Sequence, residues 1–351
     1  MHMSDALLSP AVGATFWAGA LGTIAYCSKK LRENMDEKMI PLMGVLGAFI
    51  FASQMINFTI PGTGSSGHLG GGMILAVILG PHAAFLVMAS VLFVQALFFA
   101  DGGLLALGCN IWNLGLYPCF VAYPFIYKPL IRSGSTPQKI TLASMLSAVV
   151  GLQLGAFSVV LETVLSGRTE LPLSTFVYIM QPVHFAIGAV EGLVTAGVIN
   201  FIKTARPEIL DSITSARPLP FGVSLRKAFM TLAVVSALTG GMLSWFASAN
   251  PDGLEWSIEK VFGNPELPEQ EGAITSPLKG LQEKTSFLPD YGFKKAEEAA
   301  RGSAAGKGEP AWPAVESGTS VAGIIGSIFV LGVVLLIGFV IKALRKKFLR
   351  P

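Results

Sequence analysis

The stretch Gly71–Ala100, "GGMILAVILGPHAAFLVMASVLFVQALFFA", carries no Asp, Glu, Lys or Arg over 30 residues. A helix crosses the roughly 30 Å of bilayer hydrocarbon in about 20 apolar residues, so this run is long enough to span and has length to spare. It does not alternate polar with apolar, as a strand of a membrane barrel would. The rest of the chain agrees: 52% of its 351 residues are hydrophobic and 13% charged, and the mean hydropathy is +0.61. Such a composition excludes an ordinary soluble domain. Because a spanning backbone must satisfy its own hydrogen bonds, the sequence reads as an all-α polytopic membrane protein.

Working outward, Gly80-Pro81 splits the opening run, since proline ends a helix pattern at the residue before it. Further apolar segments lie near Leu7–Cys27, Met39–Ile60, Leu104–Tyr127, Ile140–Leu165, Phe176–Phe201, Ala228–Ala247 and Ser320–Ala343. Short cytoplasmic loops collect Lys and Arg. Lys29, Lys30 and Arg32, then Lys128, Arg132 and Lys139, then Lys203, Arg206, Arg217, Arg226 and Lys227, therefore mark inner loops. The loop Pro61–Gly70 and the turn Asp101–Gly103 then fall outside, and Gly71–Ala100 goes in and returns as a short hairpin. About nine membrane segments result, with the N-terminus outside and the C-terminal "KALRKKFLR" inside. A polar stretch at 248–319 reads as an external loop; within it "NPDGLEWSIEKVFG" has helical spacing at Leu254, Ile258 and Val261, whereas "EEAARGSAAGKGEPAWPAVESGT" has linker composition. The chain divides near Pro220 into a polytopic module, 1–220, and a two-helix module, 221–351. The net charge of +3 comes from helix-end clusters, so nucleic acid is not implied. Cys27, Cys109 and Cys119 lack metal or disulfide spacing and read as packing residues.

Four histidines are present, His2, His68, His82 and His184. By the topology above, His2 and His68 share the outer side. An X-His chain end offers a free amine, the His2 amide and the His2 Nδ1, which close adjacent chelate rings around one ion and leave one in-plane position for a second imidazole. An all-nitrogen planar set suits Ni(II) or Cu(II), with Co(II) also possible, and suits Zn(II) or Mg(II) poorly. The glycines of "PGTGSSGHLGGG" let the loop bearing His68 fold inward; in the alternative reading that loop is only a turn and His68 is solvated. Gly62 and Gly67 have P-loop spacing, but His68 stands where lysine should, and no phosphate site is read there. His184 and Glu191, seven apart, share a helix face as an ionisable pair inside the membrane; an interhelical hydrogen bond or an intramembrane enzyme site are its two readings. Asp101 with Gly102 and Gly103 reads as a turn. Asn110 and Asn113 beyond it, and Asp5 near the chain end, are candidate braces for an outer site. Ala14, Ala18 and Gly22 form a stripe of small residues for which packing within the chain is the expectation.

"MHMSDALLSPAVG", "PGTGSSGHLGGG", "DGGLLALGCNIWN" and "HFAIGAVEGL", in this order over roughly the first 205 residues, resemble the CbiM/NikM family of substrate-binding (S) subunits of energy-coupling factor (ECF) nickel/cobalt transporters. "NPDGLEW" and "LPDYGF" resemble a fused NikN/CbiN-like PDGLE module. The resemblance implies an S-component helical bundle in a bacterial inner membrane, with Ni(II) as the transported substrate, Co(II) as the alternative, and no bound cofactor. It implies that Met1, His2 and His68 hold the ion. It further implies a transmembrane T-subunit (NikQ/CbiQ-like) and cytoplasmic ATPases (NikO/CbiO-like) as partners alongside membrane lipid, and a transporter subunit instead of an enzyme. His82 departs from the family, which more often carries an aromatic residue there.

Overall fold

The computed structural model describes residues 2–34, 36–132, 134–168, 172–210, 226–264, 267, 272–293 and 312–348. Met1, the expected boundary near Pro220 and most of the expected linker lie outside the described residues. After a short turn at Asp5–Leu7 come α1 (Pro10–Asn34), α2 (Met39–Gln54), an antiparallel hairpin of β1 (Phe58–Ile60) and β2 (Ser65–Gly67), α3 (Gly72–Leu79) and α4 (Pro81–Phe99). One continuous rod follows, α5 (Leu107–Ile111), a widely wound π stretch (Trp112–Tyr127) and α6 (Lys128–Ile131). Pro118 and Pro124 lie inside the π stretch; each removes a donor from the ordinary ladder, which favours the looser winding. Next are α7 (Pro137–Ser166) and α8 (Leu173–Ala205), and the second module supplies α9 (Arg226–Gly241), α10 (Gly253–Phe262), α11 (Thr275–Thr285) and α12 (Ser317–Phe348).

The expected break at Gly80-Pro81 is present. Gly80 takes φ +77°, and Pro81 begins α4, where its missing N–H costs nothing. By length and apolarity, α4, α7, α8 and α12 (to Arg345) qualify as full crossings, and Met39–Gln54 and Phe229–Gly241 are shorter apolar helices. The expectation of about nine segments counts the shorter and less apolar helices as well. Large apolar side chains point outward along these rods, among them Phe125, Leu165, Tyr178, Phe201 and Leu336. In a membrane protein that is the lipid-facing pattern.

Glycine sets the close crossings. Gly188 and Gly192 of α8 lie against the backbone at Val149 and Met145 of α7, so one small-xxx-small face lets these two helices touch. Gly323 of α12 lies so near Gly240 of α9 that an added Cβ would stand 2.3 Å from the Gly240 carbonyl oxygen. The stripe of Ala14, Ala18 and Gly22 corrects the sequence reading: all three are exposed, and nothing lies within 4 Å of a Cβ built on Gly22. The intrachain approach of α1 is made instead by Gly13 against Leu105, and by Trp17, whose backbone meets Gly108. The stripe is on the outer flank because the rod from Leu107 meets the other face of α1. The cysteines are buried and free, as expected of packing residues, and His82 packs between the rings of Tyr26 and Phe120.

Candidate metal centre

The start of the chain is threaded into the protein. Met3 is fully buried; its N–H donates to Asn110 Oδ1 (2.8 Å), and its carbonyl accepts from Asn110 Nδ2 (3.2 Å) and from the Gly103 N–H (2.9 Å). Asp5 Oδ1 accepts from the Ala106 N–H at 2.9 Å. Gly103 must be glycine, because a Cβ there would stand 1.8 Å from Asp5 Oδ1. Asn110 and Asp5, two of the residues singled out in the sequence, thus make hydrogen bonds at the chain start. Asn113 acts one step removed: its Nδ2 donates to Glu162 Oε2 (2.8 Å) and lies 3.9 Å from the Met3 sulfur.

This threading brings His2 and His68 together, with ring centroids 5.1 Å apart and planes within 8° of parallel. His68 follows β2, whose hairpin turns through Gly62 and Gly64 at φ +77° and +78°. Its Nδ1 lies 3.0 Å from the Leu69 carbonyl. That bond places the proton on Nδ1 and the lone pair on Nε2, the tautomer of a metal-ligating imidazole. Burial pushes the His68 pKa down to about 3, so the ring is neutral at physiological pH. His2 Nδ1 lies 3.2 Å from Asp101 Oδ1, while His2 Nε2 is buried without a hydrogen-bond partner among the described residues. Burial alone would raise the Asp101 carboxyl, but the His2 ring and the Tyr291 hydroxyl outweigh it and hold the pKa down at about 2. Asp101, read from the sequence as a turn residue, is therefore the partner of His2. The signal was a lone carboxylate at an otherwise apolar outer turn.

The second module closes over this centre. The Ser66 N–H donates to the Pro251 carbonyl and its Oγ to the Asn250 carbonyl, both at 2.8 Å, which ties the β2 strand to "NPDGLEW". Asp252 caps α10, its Oδ1 accepting from the Leu254 and Glu255 N–H groups at 2.8 Å, and the Glu255 side chain completes the capping box. From the other side, Gln282 donates to the carbonyls of Ala96 and Gly102, and the Tyr291 hydroxyl donates to Asp101 Oδ2. Neither Tyr291 nor Gln282 was singled out in the sequence, since their role depends on contacts across nearly 200 residues.

His184 and Glu191 do not form the pair their shared face suggested. Seven helical residues rise about 10.5 Å, too far for contact. His184 Nδ1 bonds to the Met180 carbonyl (2.8 Å). Glu191 instead accepts from the N–H groups of Gly70 (2.8 Å) and Gly71 (3.1 Å), and so anchors the loop carrying His68. Among the described residues no three His, Cys, Asp or Glu side chains gather as a metal cluster.

Residues 2–209 match the cobalt uptake substrate-specific transmembrane region, CbiM, and residues 226–343 match the PDGLE domain. A putative fused nickel transport protein NikMN of Archaeoglobus fulgidus is 30% identical over 331 residues, 94% of this chain and 96% of that protein. The cobalt transport protein CbiM of Sorangium cellulosum is 30% identical, covering 63% of this chain and 99% of its own. A crystal structure of a transition metal transporter superposes with a TM-score of 0.53 at 31% identity, over 59% of this chain and 95% of that one. With its apolar rods, its docked chain start and these matches, the chain belongs to the CbiM family of substrate-specific transmembrane proteins, extended by a PDGLE domain, and is a multi-pass membrane transport protein, not an enzyme.

Proposed function

We propose that this protein is the substrate-binding component of an ECF-type importer for Ni(II). The ion is held in a plane by the Met1 amine, the His2 amide and Nδ1, and His68 Nε2. The observation that carries the reading is the meeting of His2 with a neutral His68, at a chain start held by main-chain hydrogen bonds. To chelate, the His2 ring turns about Cβ–Cγ and takes the tautomer with its proton on Nε2, so that Nδ1 leaves Asp101 with a free lone pair for the ion, and the rings part. An ion of charge +2 on one deprotonated amide leaves a local charge of +1, and Asp101 and Asp252 supply negative charge on either side. Ligands of nitrogen alone favour Ni(II) over Co(II), in the order Co below Ni below Cu. The fused relatives are named for nickel transport; Co(II) uptake by the same ligands is the second reading, favoured by the relatives named for cobalt transport.

In this account the protein sits in a bacterial inner membrane with its N-terminus outside and its C-terminus in the cytoplasm. A T-subunit (NikQ/CbiQ-like) and ATPases (NikO/CbiO-like) drive its reorientation, and the boundary between its modules falls near Pro220. Titration of the purified protein with Ni(II) tests the ligand set. The wild type develops the absorption of planar four-nitrogen Ni(II), and His68→Ala binds more weakly through the partial chelate of the chain end. Equal affinity in His68→Ala would overturn the assignment of His68.

A further inference from the structure

Beside the proposed plane lies a small cavity, with room for about one water, whose lining includes His68, His184, Asp252, Leu114, Leu152 and Ile187. His184 is only 1% exposed. Its Nδ1 is committed to the Met180 carbonyl, which leaves the lone pair on Nε2, and Nε2 has no hydrogen-bond partner among the described residues. Its ring edge is presented to the start of α10, where a Cβ on Gly253 would stand 3.1 Å from His184 Cε1. A buried acceptor of this kind left without a partner costs roughly 1–3 kcal/mol, so it calls for a ligand. His184 lines the same cavity as His68 and Asp252, so potential ligands for its unpartnered nitrogen are close by.

We infer that His184 Nε2 and His68 Nε2 form a capture site for the incoming divalent ion, ahead of the planar chelate, with Asp252 of the PDGLE motif lending negative charge at its edge. This rests on the Ni(II)-binding reading above. The chelate closes as an ion already held by one nitrogen drives the His2 amide proton off to water, and an imidazole pair can supply that first anchor. Two imidazoles, with the Asp252 carboxylate at the edge and room for about one water, hold such an ion without closing a chelate ring. His68 then stays bound while His184 is exchanged for the nitrogens of the chain end.

The test uses the full-length protein, Ni(II) and His184→Asn, whose amide nitrogen takes the place of Nδ1 in the bond to Met180 while Nε2 is lost. Stopped-flow recording of the planar Ni(II) absorption should show loading slowed by about tenfold, as for loss of a group that supports a metal site, with the same final amplitude. In a chain lengthened by one residue before Met1, which cannot close the chelate, the residual weak Ni(II) binding seen by calorimetry should disappear with His184→Asn. Unchanged loading rate together with unchanged residual binding would overturn the inference. If the wild type itself never shows the planar absorption, the chelate reading falls, and the comparison in the lengthened chain still decides the role of His184.

Discussion

Asn110→Leu removes the clamp on the chain start while keeping the side chain's approximate volume. Asn110 makes two hydrogen bonds to the Met3 main chain. The Gly103 N–H still serves the Met3 carbonyl, but the Met3 N–H is stranded in a fully buried position. Two hydrogen bonds at about 1 kcal/mol each, plus a stranded-donor penalty of at least about 1 kcal/mol, give a cost of about 3 kcal/mol for docking the terminus. If the ion binds only the docked form, as proposed, a cost of this size lowers apparent affinity by up to roughly two orders of magnitude. Calorimetric titration with Ni(II) reads it directly, with thermal melting as the control that the helical bundle remains folded. An affinity within threefold of the wild type in a folded Asn110→Leu protein would refute the claim that docking of the chain start makes the site.

Glu191→Gln puts an amide where two N–H groups need acceptors; mispairing one buried donor costs about 1–3 kcal/mol and should weaken Ni(II) binding about tenfold or more by releasing the His68 loop, as calorimetry would show. Tyr291→Phe removes the hydroxyl on Asp101, and with it a hydrogen bond to a charged group worth about 1.5–3 kcal/mol; limited proteolysis should find the second module more readily cut between α9 and α12. Gly323→Val cannot be accommodated against the Gly240 backbone, and the parting of α9 from α12 should appear as a lower melting temperature, with Ni(II) affinity changing far less than in Asn110→Leu.

Much of this architecture is written in local chemistry. Gly80-Pro81 interrupts an apolar run with the two residues whose backbone geometry a helix junction uses, so the break between α3 and α4 is readable. Leu254, Ile258 and Val261 repeat at helical spacing, and α10 forms there with Leu254 and Ile258 buried. The juxtaposition of His2 and His68 is readable from the expected topology, which puts both on one side, and the two rings stack. The sequence is less informative where the decisive contact is long-range. His184 and Glu191 share a face, but a shared face says nothing of reach, and their partners lie on their own helix and on the Gly70-Gly71 backbone. Ala14, Ala18 and Gly22 have the spacing of a packing face, yet Gly188 and Gly192 have it too, and only assembly shows which face is covered. Glu162, fully buried and held by Asn113 and Ser158, looks in the sequence like any isolated carboxylate near a helix end.

The central claim is that the Met1 amine and the His2 amide are themselves ligands, and Ni(II) calorimetry on a protein with one residue added before Met1 tests it most directly. Every side chain stays in place and only the chelate ring is lost. Tight Ni(II) binding should vanish along with the planar absorption, leaving at most a weak residue of affinity. Ni(II) affinity equal to that of the wild type in the lengthened protein would contradict the account.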